Sequence, residues 1–288
     1  MAKILDGKLV SSEWRKEIHK KVLELKEKEV IPFLNVFLIG DNPASLLYVK
    51  NKKQTAEKID IKCEIIHFPG DISKEKLKEE IKTKGEDKNI HGIIVQLPLP
   101  NHLDPEEIAE FIPPEKDVDG FTPYNLGKLV RGYPIFIPAT PYGILKILDY
   151  YKISVTGKHV VIVGRSNIVG KPMALSLLLK GRDATVTVCH SKTENLSKIT
   201  QEADILIVAA GVKRLIKKDF VREGQVVIDV GIHKEGDLWI GDVDFEEVKD
   251  IVDYITPVPG GVGPMTVAGL LANTCKSAEL LTKNGRYH

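Results

Sequence analysis

A chain of 288 residues is too long for one small domain and suits one large or two medium ones. Its 41 Lys and Arg balance 40 Asp and Glu, so no global field draws in a phosphate backbone or an anionic membrane, and a nucleic-acid-coating role is not expected. The apolar runs are strand-sized, no secretory leader is recognisable at the N-terminus, and the three cysteines never form Cys-x-x-Cys; the expectation is a cytoplasmic protein with reduced thiols, no metal and no membrane partner.

In chain order, Val10, Trp14, Ile18, Val22 and Leu25 recur every three or four residues among Lys and Glu, which predicts an amphipathic helix. Phe33–Gly40 is strand-like and stops at the turn cluster Gly40-Asp41-Asn42-Pro43; a helix follows from Ala44 to about Lys58. Next come a strand over Lys62–Phe68, a Lys/Glu-rich helix over Ser73–Lys84 and an apolar strand from His91 to Leu97. Strands alternating with helices of this length imply βαβ units around a parallel sheet, hence an α/β fold. Prolines 113, 114, 134, 138 and 141, with Gly127 and Gly132 among them, interrupt the pattern, and the domain boundary is placed there. Thr140-Pro141 reads as a helix N-cap followed by a first-turn proline. The alternation then restarts: strand Val160–Val163, helix Val169–Lys180, strand Ala184–Cys189, helix Thr193–Thr200, strands Asp204–Ala209 and Val226–Val230, and a hairpin into Leu238–Ile240. A Pro/Gly loop, Thr256–Pro264, precedes a last helix.

Two stretches carry chemistry. In the first, the strand Val160–Val163 runs into Gly164-Arg165-Ser166-Asn167-Ile168-Val169-Gly170, with a helix starting at once. A strand, a tight glycine turn and a helix N-terminus aim backbone N–H groups at an anion such as a pyrophosphate. Ser166 and Val169 stand where a Gly-x-Gly-x-x-Gly fingerprint has its second and third glycines, so a plain βαβ turn without ligand also fits. At the end of the second strand, where an NAD site usually has a carboxylate, the chain reads Cys189-His190-Ser191-Lys192. Ser191 can donate to a ribose 2′-phosphate and Arg165 can fork onto it, which favours NADP; a solvent-facing loop arginine is the plainer alternative.

The second stretch is Pro43–Gln54. On a helix, Ser45, Tyr48 and Lys52 share a face, giving a ring platform one turn from an amine. A lysine with its ordinary pKa near ~10.4 is a poor base at neutral pH, but burial and the charges of Lys50 and Lys53 would both lower it. Lys50, Lys52 and Lys53 would equally suit a solvated helix face. Gln96 and Leu97 end an apolar strand, where ligand groups collect in open parallel sheets; Gln96 could instead satisfy loose backbone. Asp119, beside Gly120, can pair with the N–H edge of a heterocycle or serve simple turn chemistry.

Seven segments taken in order resemble one family. They are Ala44-Ser-Leu-Leu-Tyr48-Val-Lys-Asn-Lys52, Val95-Gln-Leu-Pro-Leu-Pro100, Lys116-Asp-Val-Asp-Gly-Phe121, Gly164-Arg-Ser-Asn-Ile-Val-Gly-Lys-Pro172, Cys189-His-Ser191, Asp229-Val-Gly-Ile232 and Pro257-Val-Pro-Gly-Gly-Val-Gly-Pro-Met-Thr266. The family is the bifunctional methylenetetrahydrofolate dehydrogenase/methenyltetrahydrofolate cyclohydrolase. The resemblance implies two α/β domains with a cleft between them, the C-terminal one a Rossmann-like parallel sheet. Residues 1–140 would form the folate-binding domain, rejoined by the C-terminal helix at about 265–288, and residues 141–264 the NADP-binding domain.

The implied activity is oxidation of 5,10-methylenetetrahydrofolate to the methenyl form with NADP, then hydrolysis to 10-formyltetrahydrofolate, in one-carbon metabolism. By resemblance Lys52 is the catalytic lysine, Tyr48 lies against the folate ring, Gln96 orients Lys52 and Asp119 holds the pterin edge. Ser45 and Leu97 join the substrate contacts, and Pro259, Gly260 and Gly261 would flank the folate. Gly164, Arg165, Ser166, Ser191 and Ile232 would line the NADP site, and a homodimer is implied. Where many members carry a second basic residue, two positions after the lysine, this chain has Gln54. The rival readings are a monofunctional dehydrogenase in which Lys52 only places folate, another NADP-dependent oxidoreductase, and a non-enzymatic NADP sensor.

Overall fold

The computed structural model describes residues 1–283. The chain opens with a two-residue strand, β1 (Lys3–Ile4), and a long helix, α1 (Gly7–Lys26), whose Val10, Trp14, Ile18, Val22 and Leu25 are all buried. A first βα run follows as β2 (Phe33–Ile39), α2 (Pro43–Glu57), β3 (Lys62–Phe68), α3 (Lys74–Glu86) and β4 (Gly92–Val95). Two short helices, α4 (Pro105–Ala109) and α5 (Pro123–Val130), carry the proline-rich stretch to α6 (Ala139–Tyr150). The second run is β5 (His159–Val163), α7 (Gly170–Leu177), β6 (Thr185–Cys189), α8 (Leu196–Gln201), β7 (Ile205–Val208) and β8 (Val226–Asp229). The hairpin β9 (His233–Glu235) and β10 (Leu238–Ile240), then α9 (Phe245–Val248), β11 (Tyr254–Ile255) and α10 (Val262–Lys283), complete the described chain. Among the described residues no helix is long and apolar enough to cross a membrane.

The chain divides into two compact units. One holds Glu13–Ala139 and the chain from Val267 onward. Its sheet is parallel in the order β3-β2-β4, and every residue of the central strand β2 is buried, as expected where both faces are covered. Phe37, Leu77, Ile81, Ile93 and Ile108 lie in its core. β4 is shorter than the predicted His91–Leu97 run. His91 is turned inward, and its Nδ1 accepts the Phe33 N–H at 3.1 Å.

Within this unit the buried Asn273 of α10 donates to two distant carbonyls, Val118 O at 2.8 Å and Ile137 O at 2.9 Å. Both acceptors lose their partner in Asn273→Ala. That substitution is expected to cost roughly 2–4 kcal/mol, read as a lower denaturation midpoint in a urea melt.

The other unit holds Met1–Ser12 and Thr140–Thr266. Its main sheet has six strands, all parallel, in the order β1-β11-β8-β7-β5-β6, beside the antiparallel hairpin β9-β10. From β5 the chain steps outward to β6, then returns across β5 to β7, so the direction of winding switches beside β5. That switch is where open α/β sheets bind ligands, at the carboxyl ends of the strands.

Three expectations need correction. The first twelve residues belong to this second unit rather than to the N-terminal domain, because Lys3 and Ile4 pair in register with Tyr254 and Ile255, and the Lys8 N–H reaches Gly260 O at 3.0 Å. Thr140 is not an N-cap: α6 already begins at Ala139, and the Thr140 hydroxyl lies 3.0 Å from that of Thr266. The last helix starts at Val262, ahead of the expected residue 265, and residues 284–288 of that expectation lie outside the described residues.

Candidate active site

In the first unit the Asn42 side chain caps α2, accepting from the N–H groups of Ala44 and Ser45 at 3.0 and 3.1 Å. Helical spacing then places Ser45, Tyr48 and Lys52 on one face; Ser45 is buried, while Tyr48 and Lys52 are half-buried. Gln96 lies just past the end of β4, its N–H on Phe37 O at 2.9 Å. The segment 116–118 runs beside β4, because Ile93 bridges Asp117 in parallel and donates to Lys116 O at 2.8 Å. Three residues beyond Ile93 is Gln96, and two beyond Asp117 is Asp119, so the parallel direction carries both toward one end of the sheet.

The Lys52 amine donates to Gln96 Oε1 at 2.8 Å, and Gln96 Nε2 donates to Leu97 O at 2.7 Å. The second bond fixes which end of the amide faces the amine. Burial pushes the Lys52 pKa below the ordinary lysine value, against the pull of Asp119. Burial pushes the Asp119 carboxyl up, Lys52 draws it back down, and Asp117 adds a smaller upward push. The lowered lysine is therefore a desolvation effect, contrary to the expectation that Lys50 and Lys53 would contribute. Lys50 is exposed, and the charge of Lys53 is partly answered by Glu57 at 3.9 Å. Gln54 is also exposed. The result is an amine whose charged form burial disfavours, hydrogen-bonded to a neutral amide acceptor and coupled through charge to the Asp119 carboxyl.

The three charged residues of Lys116-Asp117-Val118-Asp119 have separate fates. The Lys116 amine is spent on the Gly85 and Asp87 carbonyls at 2.7 and 2.6 Å. Asp117 accepts from Phe121 N–H, Thr122 N–H and Asn125 Nδ2, which shapes the turn that presents Asp119. Sequence spacing also gave no hint of Cys63, whose thiol is buried and pushed up to about 11, so that it stays neutral near Lys52.

The second unit holds the other candidate residues. Pro259, Gly260 and Gly261 follow β11, with Gly260 at φ +106° and a Cβ on Gly261 only 2.5 Å from Pro257 O. Gly164 has φ +129°, and a Cβ there would meet Ala209 O at 2.1 Å; a Cβ on Gly170 would meet Gly164 O at the same distance. Ser166 Oγ accepts the N–H groups of Val169 and Gly170 at 3.1 and 3.4 Å, closing the turn onto the start of α7. Val163 pairs with Cys189, and Arg165 and Ser191 stand two residues beyond each, both exposed. Ile232, three residues past the end of β8, is exposed near the same edge of the sheet. A backbone cradle from which side chains are excluded, the positive end of a helix and a second strand ending without a carboxylate fit a dinucleotide, with Arg165 and Ser191 suited to a 2′-phosphate.

Comparison with known proteins agrees with both halves. The family profile described as "Tetrahydrofolate dehydrogenase/cyclohydrolase, catalytic domain" matches residues 5–119, and that described as "Tetrahydrofolate dehydrogenase/cyclohydrolase, NAD(P)-binding domain" matches residues 138–282. A protein of Nitrosomonas europaea named "Bifunctional protein FolD" is 51% identical over 279 residues, 96% of this chain and 94% of that protein. The crystal structure of the bifunctional enzyme FolD, a methylenetetrahydrofolate dehydrogenase/cyclohydrolase from Campylobacter jejuni, has a TM-score of 0.94 at 49% identity, covering 97% of this chain and 99% of that one. The Trypanosoma brucei methylenetetrahydrofolate dehydrogenase-cyclohydrolase, solved with NADP cofactor and inhibitor, has a TM-score of 0.92 at 34% identity, covering 98% of this chain and 99% of that one.

Proposed function

Because the chain belongs to the tetrahydrofolate dehydrogenase/cyclohydrolase family, we propose that it oxidises 5,10-methylenetetrahydrofolate with NADP and then hydrolyses the methenyl product to 10-formyltetrahydrofolate. The observation that carries the reading is the half-buried Lys52 amine, its pKa lowered by desolvation and its direction set by Gln96.

When bound, NADP supplies the hydride acceptor: the methylene C–H bond breaks, both electrons leave with hydrogen, and the folate becomes a methenyl cation. Arg165 and Ser191 hold the 2′-phosphate, and Gly164, Ser166 and Ile232 shape the rest of the dinucleotide site. Tyr48 packs on the folate ring system, Asp119 accepts from the pterin N–H edge, and Ser45 and Leu97 border the substrate. Pro259, Gly260 and Gly261 are small enough to let backbone approach a flat ring. Lys52, as the free amine, takes a proton from the water that adds to the methenyl carbon. The bond from that carbon to the ring nitrogen then breaks, leaving the formyl group on the other nitrogen and releasing one proton. The support for these roles is the Lys52–Gln96 bond, the charge coupling to Asp119 and the family resemblance.

Absorbance of the methenyl product, followed separately with NADP and NAD, tests the reading; no methenyl signal with either cofactor overturns it. In the same assay Arg165→Ala is expected to raise the KM for NADP about ten- to a hundredfold and to change that for NAD little. An equal effect on both cofactors would place Arg165 away from the 2′-phosphate. A cytoplasmic homodimer completes the proposal on family grounds, and a monomer mass by light scattering would remove the dimer.

A further inference from the structure

The glycine turn of the dinucleotide site packs against the exit of β7, since the Ala209 carbonyl occupies the space a Cβ on Gly164 would need. The next two residues of that exit, Ala210 and Gly211, direct both N–H groups onto a single oxygen, Asp242 Oδ2, at 2.7 and 2.9 Å. Asp242 is fully buried. Its other oxygen, Oδ1, takes His233 Nε2 at 2.7 Å, and His233 directly follows the candidate cofactor residue Ile232. The Asp242 N–H is held by Asp229 Oδ1 at 3.0 Å, and the same oxygen takes the Gly231 N–H at 2.9 Å. A Cβ on Gly231 would sit 2.3 Å from Asp242 Oδ1, so the backbone after β8 presses directly on this carboxylate.

One side chain therefore ties the exit of β7 to the exit of β8, the two segments that flank the glycine turn and Ile232. A buried carboxylate held by two backbone amides and a histidine makes strong charge-assisted bonds in fixed directions. Nothing in this arrangement requires Asp242 to touch the dinucleotide.

We propose that Asp242, oriented by His233, is a positioning residue of the dinucleotide site: it holds residues 209–211 and 231–233 in the arrangement that receives the cofactor. The inference rests on the NADP reading above. Asp242→Ala releases both amides at once, whereas His233→Ala releases only the second carboxylate oxygen. The two variants therefore form a graded series. His233→Gln retains a side-chain N–H for Oδ1.

The test is direct titration of each purified full-length protein with NADP, read by calorimetry, alongside a thermal melt and steady-state kinetics. Absence of saturable binding in the unaltered protein overturns the NADP reading, and with it this inference. With binding established, the expected result is a Kd raised about tenfold or more in Asp242→Ala and by a smaller factor in His233→Ala. His233→Gln is expected to recover most of the latter loss, and the KM for NADP to rise much more than kcat falls. Folded Asp242→Ala and His233→Ala proteins with unchanged NADP Kd overturn the positioning role, even if their melting temperatures drop. If Asp242→Ala does not fold, the His233 pair decides alone: a raised Kd restored by glutamine supports the role, and an unchanged Kd removes it.

Discussion

Lys52→Gln is expected to lower methenyl hydrolysis by at least about a hundredfold while hydride transfer falls much less. The two halves of the reaction ask different things of this side chain. Hydride transfer depends on placing substrate and cofactor, because the electrons go to the cofactor. Hydrolysis needs a group that takes a proton from water near neutral pH, and glutamine cannot. In the proposed role Lys52 is that group, and burial opposes its charged form, with Asp119 only partly offsetting that effect. The rate of hydrolysis should accordingly rise with pH, with a midpoint below the ordinary lysine value, since the free amine is the active form. The measurement is methenyl consumption against methenyl formation for the same preparation. Equal retention of both activities would remove Lys52 from the hydrolytic step and favour a purely placing role.

Gly164→Ala is expected to abolish measurable NADP binding and to destabilise its unit by roughly 3 kcal/mol or more. Two costs coincide at this position. The backbone sits at φ +129°, where an L side chain is strained, and the new methyl would lie 2.1 Å from Ala209 O. The obstacle is backbone at the end of a buried strand, so it cannot swing aside as a flexible side chain would. Calorimetric titration with NADP and a thermal melt check both parts; wild-type affinity in this variant would falsify the assignment of the turn to the cofactor.

The face of α2 shows how far local pattern reaches. Ser45, Tyr48 and Lys52 fall together because helical periodicity alone decides it, and the capping Asn42 follows from the turn cluster before the helix. Lys116-Asp117-Val118-Asp119 shows where such reasoning stops. Three charged residues within four positions look alike as text, yet one serves the Gly85 and Asp87 carbonyls, one builds the turn, and one couples to Lys52. The partners that separate them lie on elements distant in sequence. Burial was expected to lower the lysine, but that it acts without Lys50 and Lys53 could not be read from their spacing, since the balance depends on what packs around the amine.

By itself the sequence determined the α/β alternation, the glycine turn after β5, the lack of a carboxylate after β6 and the helical face bearing Lys52, because each depends on residues a few positions apart. Only the tertiary structure decided that Lys3 and Ile4 complete the six-stranded sheet, that Lys116, Asp117 and Asp119 part to separate partners, and that Asp242 ties the exits of two strands together. Those outcomes depend on parallel pairing and burial between segments separated by tens to hundreds of residues. Local propensity carries no record of which distant strand or carbonyl a side chain will meet.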